Sequence, residues 1–192
     1  MRRHPTYSSL EFSDRIQVPG DNDDSFAARL DLFLRSKQPS QYRLCTVDVV
    51  KKLLFLDFDG VLHPNFCPEQ NYFCRLDLLI EALGSRTKGL EVIISSSWRF
   101  HYSLDEILGY FPESMQRIIA GVTPEVEPGR HQRYREICAY LSQYKRTRDW
   151  RALDDDIIGF PKDCMQLITC DHRIGFDSSG AQLLQRWVEG RK

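Results

Sequence analysis

Three apolar segments of the sequence each end in a cluster of polar side chains that could do chemistry. D-F-D-G follows the first segment at residues 57–60, S-S-S-W-R follows the second at 95–99, and D-D-D follows the third at 154–156. Continuous apolar runs of this kind favour strands that are buried on both faces, as in a parallel sheet. Because ligands bind beyond the carboxyl ends of such strands, we expect five carboxylates and three hydroxyls to meet in one crevice.

Such a crevice needs a cation, because clustered carboxylates repel one another. A hard, oxygen-seeking ion such as Mg²⁺ fits a set of carboxylate ligands best. Asp57 and Asp59 are two residues apart, which places them on the same side of an extended chain. Gly60 allows the chain to turn sharply just after them. The sequence therefore predicts a Mg²⁺ site at these strand ends.

The elements that must position these clusters alternate along the chain. We predict strands at residues 53–56, 90–94, 150–153 and 166–169, and helices at 75–83, 103–111, 130–144 and 179–189. Ser103 and Glu106 have the spacing of a capping box at the start of the second helix, and Gly190 suits the end of the last one. This alternation favours an α/β fold, a Rossmann-like parallel sheet with helices on both faces.

Length and composition indicate one globular domain at residues 51–192, after an N-terminal extension at 1–50. Apolar residues at helical spacing predict one helix in that extension, at 25–36. A net charge of -1 excludes a globally cationic nucleic-acid coat. No apolar run approaches the roughly 20 residues that a membrane span needs. Six scattered cysteines without a CxxC pair favour reduced thiols in a cytoplasmic protein.

The three clusters, in this order, resemble motifs of the haloacid dehalogenase-like (HAD) superfamily. LFLDFDGVLHP is similar to the first motif, IISSSWR to the second and WRALDDD to the fourth, over roughly residues 51–176. More narrowly, DFDGVLHP, SSSWR, ALDDD and the later C-D-x-x-x-G-F resemble the HAD domains associated with RNA-repair proteins. The resemblance implies a HAD-like fold and a Mg²⁺-dependent phosphatase.

The resemblance also implies roles for the acidic residues. Asp57 would be the nucleophile that takes up a phosphoryl group. Asp59 would protonate the leaving oxygen and then activate water against the aspartyl-phosphate, a role that favours a phosphatase over a dehalogenase or an ion-pumping ATPase. Asp154 and Asp155 would complete the metal site, together with the Asp57 carboxylate and the Asp59 backbone carbonyl.

One serine of the second motif would bind the phosphoryl oxygens. Alignment on Trp98 favours Ser96, counting from the apolar run favours Ser95, and Ser97 is expected to be structural. Trp98 could wall the site, although packing is the commoner use of a tryptophan.

The third motif is the main departure from the family pattern, because no Lys stands at the start of the helix before the fourth motif. We expect Arg133, one helical turn before Ile137, to take its place, with Arg130 and then Lys145 as alternatives. An Arg can hold two phosphoryl oxygens in a bidentate fork, but it does not copy the point charge of a Lys. The missing Lys leaves a second hypothesis open, a non-catalytic HAD-like binding module.

Further expectations concern single residues around the site. Gly60, Arg99 and Arg130 are candidates for substrate binding. Asp156 is expected to be a helix cap or a solvated acid, and His63 an ordinary hydrogen-bonded loop residue, with a substrate contact as its alternative.

Short connections between the motifs predict a capless or minimally capped domain with an open site. An open site suits a bulky phosphomonoester, either a polynucleotide end or a phosphoprotein. Between residues 130 and 151, seven Lys/Arg stand against two acids. That excess could attract a nucleic-acid backbone or form a solvated face.

Overall fold

The computed structural model describes residues 52–85, 87–143 and 149–191. The N-terminal extension with its predicted helix at 25–36, and Lys145, lie outside the described residues.

Five parallel strands form one sheet in the spatial order β3-β2-β1-β4-β5. They are β1 (Lys52–Leu56), β2 (Leu90–Ile94), β3 (Ile119–Val122), β4 (Trp150–Asp154) and β5 (Leu167–Thr169). Leu56 at the end of β1 pairs with Ile94 on one side and with Leu153 on the other. Because the chain goes outward from β1 to β3 and then returns to the opposite side, the β1–β4 boundary is a topological switch point.

Within the described ranges, five α-helices connect or follow the strands. They are α1 (Leu76–Leu83), α2 (Leu104–Leu108), α3 (Glu113–Gln116), α4 (Gln132–Ser142) and α5 (Ser178–Glu189). The predicted capping box of Ser103 and Glu106 is present at α2, and Gly190 ends α5 in a left-handed conformation. Helix α4 begins at Gln132, two residues later than predicted. The preceding His131 has a left-handed backbone with φ of 55°, so the helix does not extend further towards the N-terminus.

Alternation along the central strands produces two separate apolar clusters, one on each face of the sheet. Leu54, Leu56 and Ile94 are fully buried on the face that carries α1, α2, α3 and α5. On the opposite face, Phe55 packs with its ring edge-on against Tyr140 of α4, with centroids 5.7 Å apart. This arrangement confirms the predicted Rossmann-like α/β architecture with helices on both faces.

The strand β3 was not predicted from the sequence. It contains only four residues, one of them Gly121, and the apolar signal at its start merges with the turn after α3. The strand is nevertheless formed, because Ile119 and Val122 are buried beside β2 at the edge of the sheet.

The connections after β1 and β2 are short, as the spacing of the motifs predicted. A single 3-10 turn (Glu69–Asn71) and α1 lie between β1 and β2. A 3-10 turn (Ser97–Phe100) and the short helices α2 and α3 lie between β2 and β3. Within the described ranges, neither connection contains an inserted cap domain, and no helix has the length and apolar character to cross a membrane.

Candidate active site

Backbone hydrogen bonds extend the sheet past the strand ends and thereby align three loops. The Asp57 N–H donates to Leu153 O over 3.1 Å, and the Ser95 N–H donates to Leu56 O over 2.9 Å. The residues that follow β1, β2 and β4 are therefore held at one edge of the sheet, at the switch point.

Three carboxylates meet at this edge. One oxygen each of Asp57, Asp154 and Asp155 lies within 4.8 Å of the others. Burial raises the pKa of Asp57, and burial together with the charge of Asp57 raises the pKa of Asp154 well above its ordinary value. Burial also raises the pKa of Asp155. The cluster is thus strained by desolvation and repulsion, and it requires positive charge nearby.

Arg133, in the first turn of α4, supplies part of that charge. Its Nε lies 2.9 Å from Asp154 Oδ2, and its Nη2 donates to Asp57 Oδ2 over 3.3 Å. Burial acts to lower the pKa of Arg133, but the charges of Asp57, Asp154 and Glu136 outweigh it and raise this pKa. Among the three cations considered for the missing Lys, Arg133 is the one whose contacts with the carboxylates are seen in the described structure.

A second buried ion pair, between Glu136 and Arg99, lies next to Arg133. Glu136, one turn further along α4, lies 3.4 Å from Arg133 Nη1 and 2.7 Å from Arg99 Nη2. Arg99 Nη1 also donates to the backbone oxygens of Ser95 and Ser96, over 2.8 and 2.7 Å. The Arg99 guanidinium is therefore bonded to the loop after β2 and to α4, and it links these two elements beneath the site.

The adjacent serines of the second motif have different surroundings. Burial is the main influence on the pKa of Asp57 and raises it, whereas the nearby Ser96 side chain lowers it and partly offsets the effect of burial. Ser96 also caps the following 3-10 turn by accepting from the Trp98 N–H. The Ser95 hydroxyl is buried without a hydrogen-bond partner in the described part of the chain. Of the two serines, Ser96 is the one whose side chain influences the pKa of Asp57.

The carboxylate of Asp59 lies outside the three-carboxylate cluster and is held by two aromatic side chains. His63 Nε2 bonds to Asp59 Oδ1 over 3.1 Å, and Trp98 Nε1 donates to Asp59 Oδ2 over 3.0 Å. The hydrogen bond from His63 is the main reason that the pKa of Asp59 is lowered. His63 is fully buried whereas Asp59 is half exposed, so a rigid support holds a carboxylate that solvent reaches.

Gly60 and Asn65 determine where the Asp155 carboxylate lies. Gly60 has a φ of +69°, and a Cβ at this position would lie 2.3 Å from Asp155 Oδ2. Asn65 donates to the same oxygen over 3.1 Å. Glycine is needed here both for the left-handed turn and for the close approach of the acid.

Two predicted residues lie at the margin of the site. Asp156 caps the 3-10 turn at Ile157–Gly159 by accepting from two backbone N–H groups, which confirms the predicted cap. Arg130 is exposed and lines a cleft of about 750 Å³ between the start of α4 and the segment at 156–164. Arg130 thus lies beside the carboxylates and not among them.

Sequence reasoning did not identify Glu136, Asn65 or the role of Trp98. Glu136 stands one helical turn after Arg133, and this spacing is a usable signal for an ion pair on one helix face. Asn65 and Trp98 meet their partners only through loop conformation, for which the sequence carries no comparable signal.

Comparison with known proteins identifies the family of this chain. The family model described as the HAD domain in Swiss Army Knife RNA repair proteins matches residues 53–181. A search of curated proteins and a search of solved structures found no match. The matched range contains all the residues described above for this site.

We predict that Gly60→Ala is more damaging than the same change at Gly190. Both glycines have a positive φ, but a Cβ at Gly190 meets nothing within 4 Å. Gly190→Ala should therefore cost only the backbone strain of about 1–2 kcal/mol in the free energy of unfolding. Gly60→Ala should cost more, because Asp155 must also move, as urea denaturation would show. Equal losses would contradict the close approach at Gly60.

Proposed function

Since the chain belongs to the family of HAD domains found in Swiss Army Knife RNA repair proteins, we propose that it is a Mg²⁺-dependent phosphomonoester hydrolase. Asp57 is the proposed nucleophile, and the reaction passes through an aspartyl-phosphate. One observation carries this proposal: the buried Asp57 carboxylate accepts a hydrogen bond from Arg133 and lies beside Asp154 and Asp155.

The residues present fit a divalent cation. When ionised, the carboxyl groups of Asp57, Asp154, Asp155 and Glu136 carry four negative charges, against two positive ones on the buried Arg99 and Arg133. The two negative charges left over equal the charge of one divalent ion. Oxygen ligands of this type suit Mg²⁺.

The three clustered carboxylates would hold the ion, and the Asp59 backbone carbonyl is a further proposed ligand. When bound, Mg²⁺ would polarise a phosphoryl oxygen and shield an anionic substrate from the carboxylates. Side chains of the protein would carry out the nucleophilic attack, the proton transfers and the binding of the phosphoryl oxygens.

In the first proposed step, a carboxylate oxygen of Asp57 forms a bond to phosphorus while the bond from phosphorus to the leaving oxygen breaks. Asp59 donates a proton to that leaving oxygen. The Ser96 hydroxyl and the Arg133 guanidinium, which donates to Asp57 in the structure, bind the phosphoryl oxygens. These donors stabilise the charge that develops on the transferring group.

In the second proposed step, Asp59 accepts a proton from water as the water oxygen bonds to phosphorus and the bond to Asp57 breaks. Hydrogen bonds from His63 and Trp98 lower the pKa of Asp59 and so favour the ionised form that this step uses. For the first step Asp59 must carry a proton. The negative charge of the arriving phosphomonoester raises the pKa of Asp59 and favours that form.

A polynucleotide end is the proposed substrate, in preference to a phosphoprotein. The described connections leave the strand ends without a cap domain, and a capless domain favours a bulky substrate. The cleft beside the site is lined by Arg130 and Lys162 but also by Asp156 and Asp163, so its charge does not decide between the two substrates. The RNA-repair family to which the chain belongs supports the same choice.

We predict that Mg²⁺ raises the melting temperature of the protein and that Asp155→Asn reduces this rise. An ion at one hundred times its dissociation constant stabilises the folded state by about 2.7 kcal/mol. Asp77→Asn is the matched control, since Asp77 is exposed on α1 and outside the cluster. Thermal denaturation with and without Mg²⁺ measures the shift. No shift in the wild type, or an equal loss in the control, would contradict the site.

We predict that Asp57→Asn abolishes turnover and keeps the fold, because Asn is nearly isosteric but a poor nucleophile. Asp59→Asn should slow turnover most for substrates with poor leaving groups, by about 10²–10⁴-fold. The assay compares an aryl phosphate, phosphopeptides, and 3′- and 5′-phosphorylated oligonucleotides in the presence of Mg²⁺, with circular dichroism as the folding control. A wild type that turns over none of them would favour the non-catalytic binding module instead.

We predict that Arg133→Lys retains appreciable activity and that Arg133→Ala loses at least about 10²-fold in kcat. Lys keeps a positive charge among the carboxylates, whereas Ala leaves buried carboxylates without their cation. Arg130→Ala is the comparison, and it should mainly raise KM for an oligonucleotide. Full activity of Arg133→Ala would assign the missing Lys to another cation.

A further inference from the structure

Three tyrosine side chains remain partly exposed on the Asp59 side of the site. Tyr72, Tyr102 and Tyr110 keep 37%, 42% and 44% of their surface exposed. Tyr72 precedes α1, and Tyr102 and Tyr110 lie on either side of α2. We call these three residues the tyrosine patch.

The tyrosine patch surrounds the two side chains that hold Asp59. The ring centroids of Tyr72, Tyr102 and Tyr110 lie 5.5, 5.3 and 5.5 Å from that of Trp98. The Tyr72 ring is also 4.7 Å from the His63 ring. Each tyrosine is therefore one side chain away from the Asp59 carboxylate.

All three rings of the patch pack against Trp98, and Tyr110 also packs against the partly buried Phe73. Phe73 stacks on Tyr110 with centroids 5.0 Å apart and an interplanar angle of 13°. Phe73 also contacts Trp98 and the buried Phe58. Rings supported in this way lose little conformational freedom when a ligand stacks on them.

The position of the patch indicates which part of a substrate would meet it. Because Asp59 is the proposed donor of a proton to the leaving oxygen, the group attached to that oxygen must pass beside Asp59. The patch itself contains no cationic member, whereas Arg130 and Arg133 lie at the start of α4. It therefore suits a flat, uncharged group and not a phosphate.

We propose that Tyr72, Tyr102 and Tyr110 form a stacking surface for the unpaired terminal bases of a polynucleotide whose end phosphate lies at Asp57. This inference rests on the proposed phosphohydrolase function and adds to it a preference for single-stranded ends. Bases stack on aromatic side chains with little regard to sequence, because every base has a π-face.

The test compares single-stranded oligonucleotides that differ only in their terminal bases. Each phosphorylated end is made once with normal nucleotides and once with abasic ones, which keep the backbone charge. The wild type should show a kcat/KM about tenfold higher for the normal ends, and Tyr102→Leu should reduce this ratio towards one. Tyr102→Phe should preserve it. Both kcat/KM values of a ratio are measured with the same variant. An indirect effect of the substitution on Asp59 changes both values alike and therefore cancels in the ratio.

Leu183→Ala is the control, since Leu183 is an exposed apolar residue on α5 and lies outside the site. It should leave the ratio unchanged. A wild-type ratio of one, or an equal ratio in Tyr102→Leu, would overturn the stacking surface. Phosphopeptide turnover that depends on Tyr102 in place of oligonucleotide turnover would assign the patch to a protein substrate and also overturn it.

Equilibrium binding separates this inference from the proposed function. Dissociation constants of the same normal and abasic oligonucleotides are measured with Asp57→Asn, where no turnover is expected. Tighter binding of normal ends, lost in Asp57→Asn that also carries Tyr102→Leu, supports the patch even if the wild type hydrolyses nothing. Hydrolysis without any preference for bases in turnover or binding would overturn the patch and leave the hydrolase proposal standing.

Discussion

The ion pairs of Arg133 with two buried carboxylates are the interaction on which the rest of the site depends. Asp57 and Asp154 are almost completely removed from water, and each raises the energy of the other in its ionised form. A buried charge is tolerated only when it is paired or bound to metal. Arg133 meets this need in part, and the charge that remains is the physical reason to expect a divalent cation.

That requirement explains several features of the fold that would otherwise look unrelated. Helix α4 packs on the face of the sheet opposite α1 and α5, and it begins at Gln132, so that Arg133 lies in its first turn. Glu136 and Arg99 then join α4 to the loop after β2, which carries Ser96. The loop of the proposed phosphoryl-binding Ser96 is in this way joined to Arg133, which contacts the proposed nucleophile Asp57.

The parts that were predictable from the sequence are those in which the strand order alone brings residues together. Asp57, Ser96 and Asp154 each follow a buried apolar strand, and in parallel neighbouring strands these ends must meet. The choice of Arg133 followed from helical spacing before Ile137. The apolar strand pattern and the helical spacing can both be recognised in short stretches of sequence, and neither depends on loop conformation.

The parts that could not be predicted depend on loops and on weak elements. Strand β3 has four residues and gains its stability from pairing with β2, so its own sequence shows little periodicity. Asn65 reaches Asp155, and Trp98 reaches Asp59, only because the chain turns at Gly60 and after Ser96. Side-chain contacts of this kind follow from tertiary packing and not from residue type.

Trapping of the phosphorylated protein tests the central claim most directly. Asp59→Asn is mixed with a ³²P-labelled aryl phosphate and Mg²⁺, quenched in acid and digested, and the labelled peptide is identified by mass spectrometry. An activated leaving group needs little help from Asp59, but hydrolysis of the aspartyl-phosphate does, so the account predicts that label accumulates on Asp57. Turnover without any covalent label, or label on another residue, would contradict it.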